Sequence, residues 1–135
     1  MSKHFVSIVV PYYGNWQLTH QRLGELHKYA PAEDIEVILV NDASPDMDCR
    51  SGAGWWTNNF TGYKVRYFEN KTNLGFGGSN NIGAKIANGD ILVFMSNDVV
   101  ITGRFIEQIE TLIDEYDGEV MIGNQVLYHD TGWNN

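Results

Sequence analysis

The sequence has one cysteine, few basic residues and no long apolar run. Its single cysteine, Cys49, cannot form an internal disulfide, which suits a reducing compartment such as the cytoplasm. Nine lysines and arginines stand against seventeen aspartates and glutamates, and the formal net charge is −8. So acidic a chain, without a basic cluster, is a poor binder of nucleic acid or anionic membranes, because such binding depends mainly on Lys and Arg. No apolar run approaches the roughly 20 residues that cross a bilayer, and we expect no membrane span.

The residues that are present predict a layered α/β domain. With 135 residues, 43% of them apolar, the chain can bury a sizeable core, and we treat residues 1–135 as one domain. Three short and almost continuously apolar runs predict strands buried on both faces of a parallel sheet: residues 5–10, 35–40 and 91–95. Weaker strand signals occur at residues 64–68, 120–122 and 125–128.

Apolar residues at helical spacing fall between these strands. They predict helices at residues 16–29, 79–87 and 104–116. Residues 47–62, rich in Gly, Asn and Trp, predict a long loop with at most one helical turn. Because strands and helices alternate, we expect a mainly parallel sheet with helices on both faces.

Polar side chains follow three of the predicted strands at the points where the strands end. They are Tyr12 and Tyr13, Asn41 and Asp42, and Asn97 and Asp98. In open parallel sheets, ligands collect at the carboxyl ends of the strands. We therefore expect these side chains to share one binding edge.

Asp98 is informative because it ends the short polar segment Ser96-Asn97-Asp98, which interrupts two apolar stretches. If a helix begins near Gly103, its natural N-cap is Thr102, and Asp98 then lies too early to cap it. A turn role remains, since Asn-Asp pairs are common in turns. A metal role remains equally open, since one carboxylate together with substrate phosphates can hold Mg²⁺ or Mn²⁺.

The other candidate residues also have two interpretations each. Asp42 either begins a turn or accepts an N–H from a nucleobase, and the two tyrosines either stack on a base or cover the edge of the sheet. The glycine-rich segment at residues 73–83 either needs positive φ angles before a helix or contacts a ligand. In the second case the contacts would come from backbone amides, from Gly75 onward, and from the side chains of Asn80 and Asn81.

Several common site patterns are absent from the sequence. The glycine-rich segment lacks the third glycine of the dinucleotide fingerprint, and no Gly-Lys-Ser/Thr of a phosphate-binding P-loop occurs. The four histidines are dispersed without the spacing of a zinc site, and there is no Gly-x-Ser-x-Gly elbow. These absences argue against a dinucleotide enzyme, a P-loop enzyme, a zinc protein and a serine hydrolase.

Three ordered segments, VSIVVPYYGN, VILVNDASPD and NLGFGGSNNIGAKIANGDILVFMSNDV, resemble the nucleotide-sugar half of the inverting family 2 glycosyltransferases. The resemblance covers residues 6–128, and the NxGFxGxNNxG and NDV forms are most similar to the rhamnosyltransferase-like branch. It implies a GT-A fold, which is a Rossmann-like nucleotide-binding layer, in a cytoplasmic enzyme of polysaccharide biosynthesis. The implied ligands are a UDP- or dTDP-linked sugar, Mg²⁺ or Mn²⁺, and an acceptor with a free hydroxyl.

The resemblance also implies roles for individual residues. Pro11 and Tyr12 would flank the nucleobase, and Asp42 would accept its imide N–H. Asn97 would lie near the ribose, while Asp98 would hold the metal against the diphosphate. The metal would stabilise the negative charge that develops on the departing diphosphate.

Two departures from the family pattern bear on this implied site. Asn80 stands where many members have arginine, and Ser96-Asn97-Asp98 replaces the Asp-x-Asp element. We expect both changes to weaken binding of the metal and the diphosphate. The acceptor half, which supplies the general base in the family, is expected to follow this point, and no residue of this sequence matches that base.

These observations support two functional hypotheses. The first is a glycosyltransferase domain that binds the donor nucleotide-sugar with a divalent metal for inverting transfer to an acceptor hydroxyl. The alternative is a non-catalytic or partner-completed binding module that keeps the fold but lacks the acceptor half and the general base. In either case a domain without its acceptor half is expected to expose apolar surface, which favours self-association.

Overall fold

Strands and helices alternate along the chain, as the sequence predicts. The computed structural model describes residues 4–117 and 121–123. The elements are β1 (Val6–Tyr12), α1 (Trp16–Tyr29), β2 (Ile35–Asn41), α2 (Asp48–Asn58), β3 (Lys64–Glu69), α3 (Gly75–Ile86), β4 (Ile91–Phe94) and α4 (Ile106–Glu115). A short 3-10 helix, Ala32–Asp34, precedes β2. In this part of the chain no helix is long and apolar enough to span a bilayer.

The four strands form one parallel sheet in the order β3-β2-β1-β4. In its register Val6 lies beside Ile35 on one side and Ile91 on the other, and Tyr12 lies beside Asn41. Because all strands run the same way, the segments that follow them emerge at one side of the sheet, which we call the carboxyl edge. The predicted α/β class and parallel sheet are confirmed.

Helices cover both faces of the sheet. On one face Val9, Ile38 and Val40 pack against Ile82 and Ile86 of α3. The opposite face carries the larger core, in which β1 and β2 pack against α1, α2 and the start of α4. The alternation of side chains along each strand, with a period of two, assigns neighbouring residues to these two cores.

The prediction of a long loop at residues 47–62 is wrong, because α2 occupies three turns of it. Cys49, Ala53 and Trp56 are its buried residues, and their spacing of four and three places them on one helix face. Trp56 packs on Phe60 with 4.6 Å between ring centroids, and its Nε1 donates to His20 Nδ1 of α1 at 3.1 Å. The low helix propensity of Gly and Asn is therefore outweighed by burial of this face against α1.

Two helix boundaries and one weaker strand also differ from the prediction. The helix predicted from residue 79 begins at Gly75, and the helix predicted from residue 104 begins at Ile106, with Phe105 rather than Thr102 at its N-cap. Of the weaker predicted strands, residues 125–128 and Val120 lie outside the described residues, while residues 121–122 have no regular secondary structure.

The strand β4 was predicted to be buried on both faces, and this is wrong for the described part of the chain. Leu92 is 40% exposed and Phe94 is 49% exposed. The physical reason is its position, since β4 is an edge strand of the described sheet and α3 packs over β1 and β2 instead.

Candidate functional site

The carboxyl edge holds a cavity of about 180 Å³ between the segments that follow β1, β2 and β4 and the start of α3. It is lined by Pro11, Tyr12, Tyr13, Asp42, Gly75, Phe76, Ser96 and Asn97. The structure thus brings together residues from all three strand ends that the sequence singled out. It does not place Asn80, Asn81 or Asp98 among the lining residues, and it adds Phe76 and Ser96.

Asp42 is fixed by the loop that follows β3. The residue is buried, with 5% of its surface exposed. Its Oδ1 accepts the N–H of Leu74 at 2.7 Å and the Nδ2–H of Asn70 at 3.0 Å, and its Oδ2 accepts the N–H of Gly75 at 2.9 Å. Burial alone would raise the pKa of Asp42, but these donors outweigh it and hold that pKa below its ordinary value. The carboxylate is therefore ionised at neutral pH.

The turn after β2 is made by Asn41 and not by Asp42. Asn41 Oδ1 accepts the N–H of Ser44 at 2.9 Å, and the Ser44 hydroxyl accepts the N–H of Gly14 at 2.8 Å. Ala43 has a φ of +60°, in the left-handed region. This tight turn ties the loops after β1 and β2 together and frees the Asp42 side chain to reach α3.

The two tyrosines at the end of β1 are in different environments. Tyr12 is buried, its hydroxyl donates to the carbonyl of Cys49 at 2.7 Å, and its ring centroid lies 5.5 Å from that of Trp16. Burial raises the pKa of Tyr12 far above its ordinary value. Tyr13 is 57% exposed, and Phe76 of α3 is 56% exposed. Tyr13 and Phe76 are thus the cavity's exposed aromatic side chains, whereas Tyr12 belongs mainly to the core.

The segment after β4 forms a turn that carries Asp98. The N–H of Val99 donates to the carbonyl of Ser96 at 3.3 Å, and the Ser96 hydroxyl donates to Asp98 Oδ1 at 2.6 Å. Asn97 Nδ2 donates to Thr19 Oγ1 of α1 at 3.2 Å. Asp98 is exposed and lies eight positions before α4, so it does not cap that helix. The turn role is real, and it leaves the outward carboxylate open to a cation.

The donor chemistry at Asp98 fits Mg²⁺ or Mn²⁺ as one protein ligand among several oxygens. A carboxylate beside a hydroxyl offers only the hard oxygen ligands that these cations prefer. Within residues 4–117 and 121–123, Asp98 belongs to no group of three ligand-type side chains; the group found there is Asp46, Asp48 and Cys49. A cation at Asp98 would thus take most of its ligands from a substrate and from water.

The asparagines near α3 differ in burial. Asn80 is buried in the helix, and its Oδ1 has no hydrogen-bond partner among the described residues, while Asn81 is exposed. Asn70, which sequence reasoning passed over, is buried and donates to both Asp42 Oδ1 and Ser79 Oγ at 3.0 Å. The sequence offered one signal for Asn70, namely its position directly after β3. Asp42 follows β2 in the same way.

A larger cavity of about 480 Å³ lies further along the chain, between β4 and the start of α4. Its lining is mainly apolar and runs from Val93 to Gln108 without any carboxylate. It offers neither the anionic acceptor nor the paired strand ends of the smaller cavity. We therefore place the candidate site at the smaller cavity.

Comparison with known proteins adds a family to this geometry. The sequence model of Glycosyl transferase family 2 matches residues 7–135. The chain is 26% identical over 129 residues to Glycosyltransferase GlyG of Streptococcus pneumoniae serotype 4, an alignment that covers 96% of this chain and 42% of GlyG.

Solved structures share the fold. Crystalline S. aureus TarS 1-349 in complex with UDP-GlcNAc superposes with a TM-score of 0.69 at 26% identity, covering 84% of this chain and 32% of that one. Mannosyltransferase PcManGT from Pyrobaculum calidifontis, in complex with GDP-Man and Mn²⁺, superposes with a TM-score of 0.70 at 22% identity, covering 78% and 30%. The GT-A fold is thus confirmed, and the chain spans less than half the length of each of these proteins.

Proposed function

Because the chain belongs to glycosyl transferase family 2, we propose that its carboxyl-edge cavity binds the nucleotide of a UDP- or dTDP-linked sugar. The activity served would be inverting transfer of the sugar to an acceptor hydroxyl. The observation that carries this proposal is the convergence of Tyr13, Asp42 and Asn97, from three strand ends, on one cavity. Among the relatives, TarS 1-349 is known in complex with UDP-GlcNAc, which supports a uridine nucleotide.

The nucleobase would lie over Pro11 and between the exposed rings of the cavity. Tyr13 offers its ring face for stacking, whereas the Tyr12 hydroxyl is already committed to Cys49. Asp42, held ionised, would accept the imide N–H of the base, and the peptide of Gly75 would border it. Asn97 lines the same cavity and would face the ribose.

The diphosphate would need a cation, because the chain carries a net charge of −8 and Asn80 replaces the family's arginine. We assign Asp98 as the ligand of Mg²⁺ or Mn²⁺, with Ser96 beside it; the bound metal would supply charge stabilisation for the departing diphosphate. Asn80 and Asn81 would border the phosphates from α3. The Mn²⁺ in the PcManGT complex is consistent with this assignment.

Transfer itself is proposed for a protein that also contains an acceptor site and a general base. The relatives are longer than this chain, which covers 42% of GlyG. The second candidate, a binding module without catalysis, is favoured by the replacement of the Asp-x-Asp element by Ser96-Asn97-Asp98. Hydrolysis or transfer of a nucleotide-sugar by the 135-residue chain would rule out this second candidate.

Calorimetry with uridine, UDP and UDP- or dTDP-sugars, in Mn²⁺ and in EDTA, tests the proposal. We expect UDP binding that Mn²⁺ strengthens, and we expect Asp98→Asn to remove that strengthening while leaving uridine binding unchanged. Glu33→Gln is the control, since Glu33 is an exposed carboxylate that neither lines the cavity nor belongs to a group of ligand-type side chains. The native chain binding none of these ligands, or Asp98→Asn behaving like Glu33→Gln, would overturn the proposal.

A further inference from the structure

One face of α1 holds the segment that carries Asp98. Thr19, Arg22 and Glu25 are spaced three residues apart, and each bonds a different residue between positions 97 and 101. Besides the Asn97–Thr19 bond, Arg22 Nη1 donates to the carbonyl of Val99 at 2.7 Å. The N–H of Ile101 donates to Glu25 Oε2 at 3.0 Å.

Arg22 is unusual within this group because its charged side chain is buried. Its residue exposure is 5%, and its guanidinium faces the Glu25 carboxylate through two contacts, Nε to Oε2 at 3.0 Å and Nη2 to Oε1 at 3.1 Å. A buried ion pair adds little net stability compared with apolar side chains of similar volume, so stability does not by itself account for it. The other short hydrogen bond of Arg22 is the one to the carbonyl of Val99, the residue that follows Asp98.

We infer that Arg22 is a positioning residue for Asp98, an inference that rests on the proposed function. Asp98 itself is exposed, and within the described residues its side chain is held by the Ser96 hydroxyl alone. The backbone on its far side is fixed by Arg22 at Val99 and, through Glu25, at Ile101. Because these bonds already order the turn, no further free energy would be needed to order it when a cation and diphosphate bind.

The matched variants are Arg22→Met, Arg22→Lys and Arg66→Met. Methionine keeps the length and apolar stem of Arg22 but loses its donors, and lysine keeps one donor. Arg66→Met breaks another buried pair, since Arg66 Nη1 lies 3.3 Å from the buried Glu36, but it does so away from the carboxyl edge. Arg66→Met therefore controls for loss of stability.

The binding experiment measures Mn²⁺ uptake by electron paramagnetic resonance in the presence of UDP, and uridine affinity by calorimetry. We expect Arg22→Met to weaken metal-dependent UDP binding by about 10- to 100-fold, the range seen when partners of a metal ligand are removed. Uridine affinity should stay unchanged, Arg22→Lys should be intermediate, and Arg66→Met should resemble the native chain in both measurements.

Hydrogen exchange without any ligand gives a second readout. We expect Arg22→Met to speed exchange at the amides of Val99 and Ile101, with little change in the amides of β1 and β2. If Arg22→Met does not fold, Arg22→Lys replaces it in both measurements, because lysine keeps a positive charge beside Glu25 but has only one donor nitrogen. Arg22→Lys should produce the same pattern with a smaller amplitude.

The outcomes separate the inference from the function on which it rests. Absence of both uridine and UDP binding by the native chain would overturn the proposed function, and the exchange data would still test the positioning role. Native binding with equal losses of uridine and Mn²⁺-UDP affinity in Arg22→Met would show a general structural role and overturn the inference. Unchanged metal dependence together with unchanged exchange would overturn it as well.

Discussion

Asp42, directly after β2, accepts the backbone N–H of Gly75, the first residue of α3, at 2.9 Å. Leu74, at the N-cap of this helix, provides no side-chain cap. Asp42 therefore caps α3 from a different element and places a negative charge at the positive end of the helix dipole. The same carboxylate that lines the candidate site therefore also fixes the start of α3, which forms another side of the cavity.

Asp42→Asn should consequently lower stability as well as ligand affinity. The amide retains one acceptor but turns a donor toward a backbone N–H, so charge-assisted bonds to Leu74 and Gly75 are lost. We expect the free energy of unfolding to fall by about 1–3 kcal/mol in urea titrations. Asp46→Asn, at an exposed carboxylate, should stay within about 0.5 kcal/mol of the native value. Equal stabilities of the two variants would contradict the cap.

The close packing of α3 on the sheet depends on Gly83. A Cβ on this residue would lie 2.3 Å from Val9 Cγ1, so Gly83→Ala must push α3 away from β1. We expect a loss of about 1–3 kcal/mol in the free energy of unfolding. Gly77→Ala, in the same helix with open space around its Cβ, should instead stabilise the protein by up to about 1 kcal/mol. The double variant Val9→Ala with Gly83→Ala should lose less than the sum of its single changes, and strict additivity would contradict the contact.

The backbone at Ala43 carries a cost that glycine can relieve. Its φ of +60° lies in the left-handed region, which costs an L-residue about 1–2 kcal/mol. Glycine would relieve this cost, but it also makes the unfolded chain more flexible, which offsets about 0.4–1 kcal/mol of the stability gained. We expect Ala43→Gly to raise the free energy of unfolding by about 0.5–1 kcal/mol. Ala84→Gly, within α3, should lower it by about 1 kcal/mol; a loss in both variants would refute the strain at Ala43.

Glu36 should make stability depend on acid pH. Burial raises the pKa of this β2 carboxyl, but the N–H of Asn88, the Ser7 hydroxyl and Arg66 outweigh burial and hold the pKa below its ordinary value. A carboxyl with a lowered folded pKa contributes stability above its unfolded pKa and loses it as the pH falls through the folded value. The native chain should therefore lose stability below about pH 4.5 more steeply than Glu36→Gln. Urea titrations from pH 7 to pH 3 measure this, with exposed Glu33→Gln as the control, and parallel curves would contradict it.

The parts of the fold that sequence reasoning found have strong local signals. The apolar runs of β1 and β2 and the helical spacing of α1 are visible in single segments, and all three elements occur where predicted. The helix α2 was not predicted, because the Gly and Asn residues of this segment have low helix propensity. Its evidence lies in the spacing of Cys49, Ala53 and Trp56, and it forms because those residues meet α1.

The site shows the same division. Parallel strands predict that Tyr13, Asp42 and Asn97 meet at one edge, and the cavity brings them together. The sequence did not reveal that Asp42 bonds Gly75, because these residues are 33 positions apart and the bond exists only once β2 and α3 are side by side. Binding of a nucleotide-sugar and of a metal by these residues stays a prediction.

By itself, the sequence determined the alternation of strands and helices, the parallel sheet and the polar character of its carboxyl edge. These follow from local periodicity and from the rule that consecutive βαβ units wind in one direction. Only the tertiary structure decided which side chains hold the edge in place: Asp42 on the start of α3, and Arg22 on the carbonyl that follows Asp98. Such bonds join distant parts of the chain, and their partners are fixed by packing rather than by neighbouring residues.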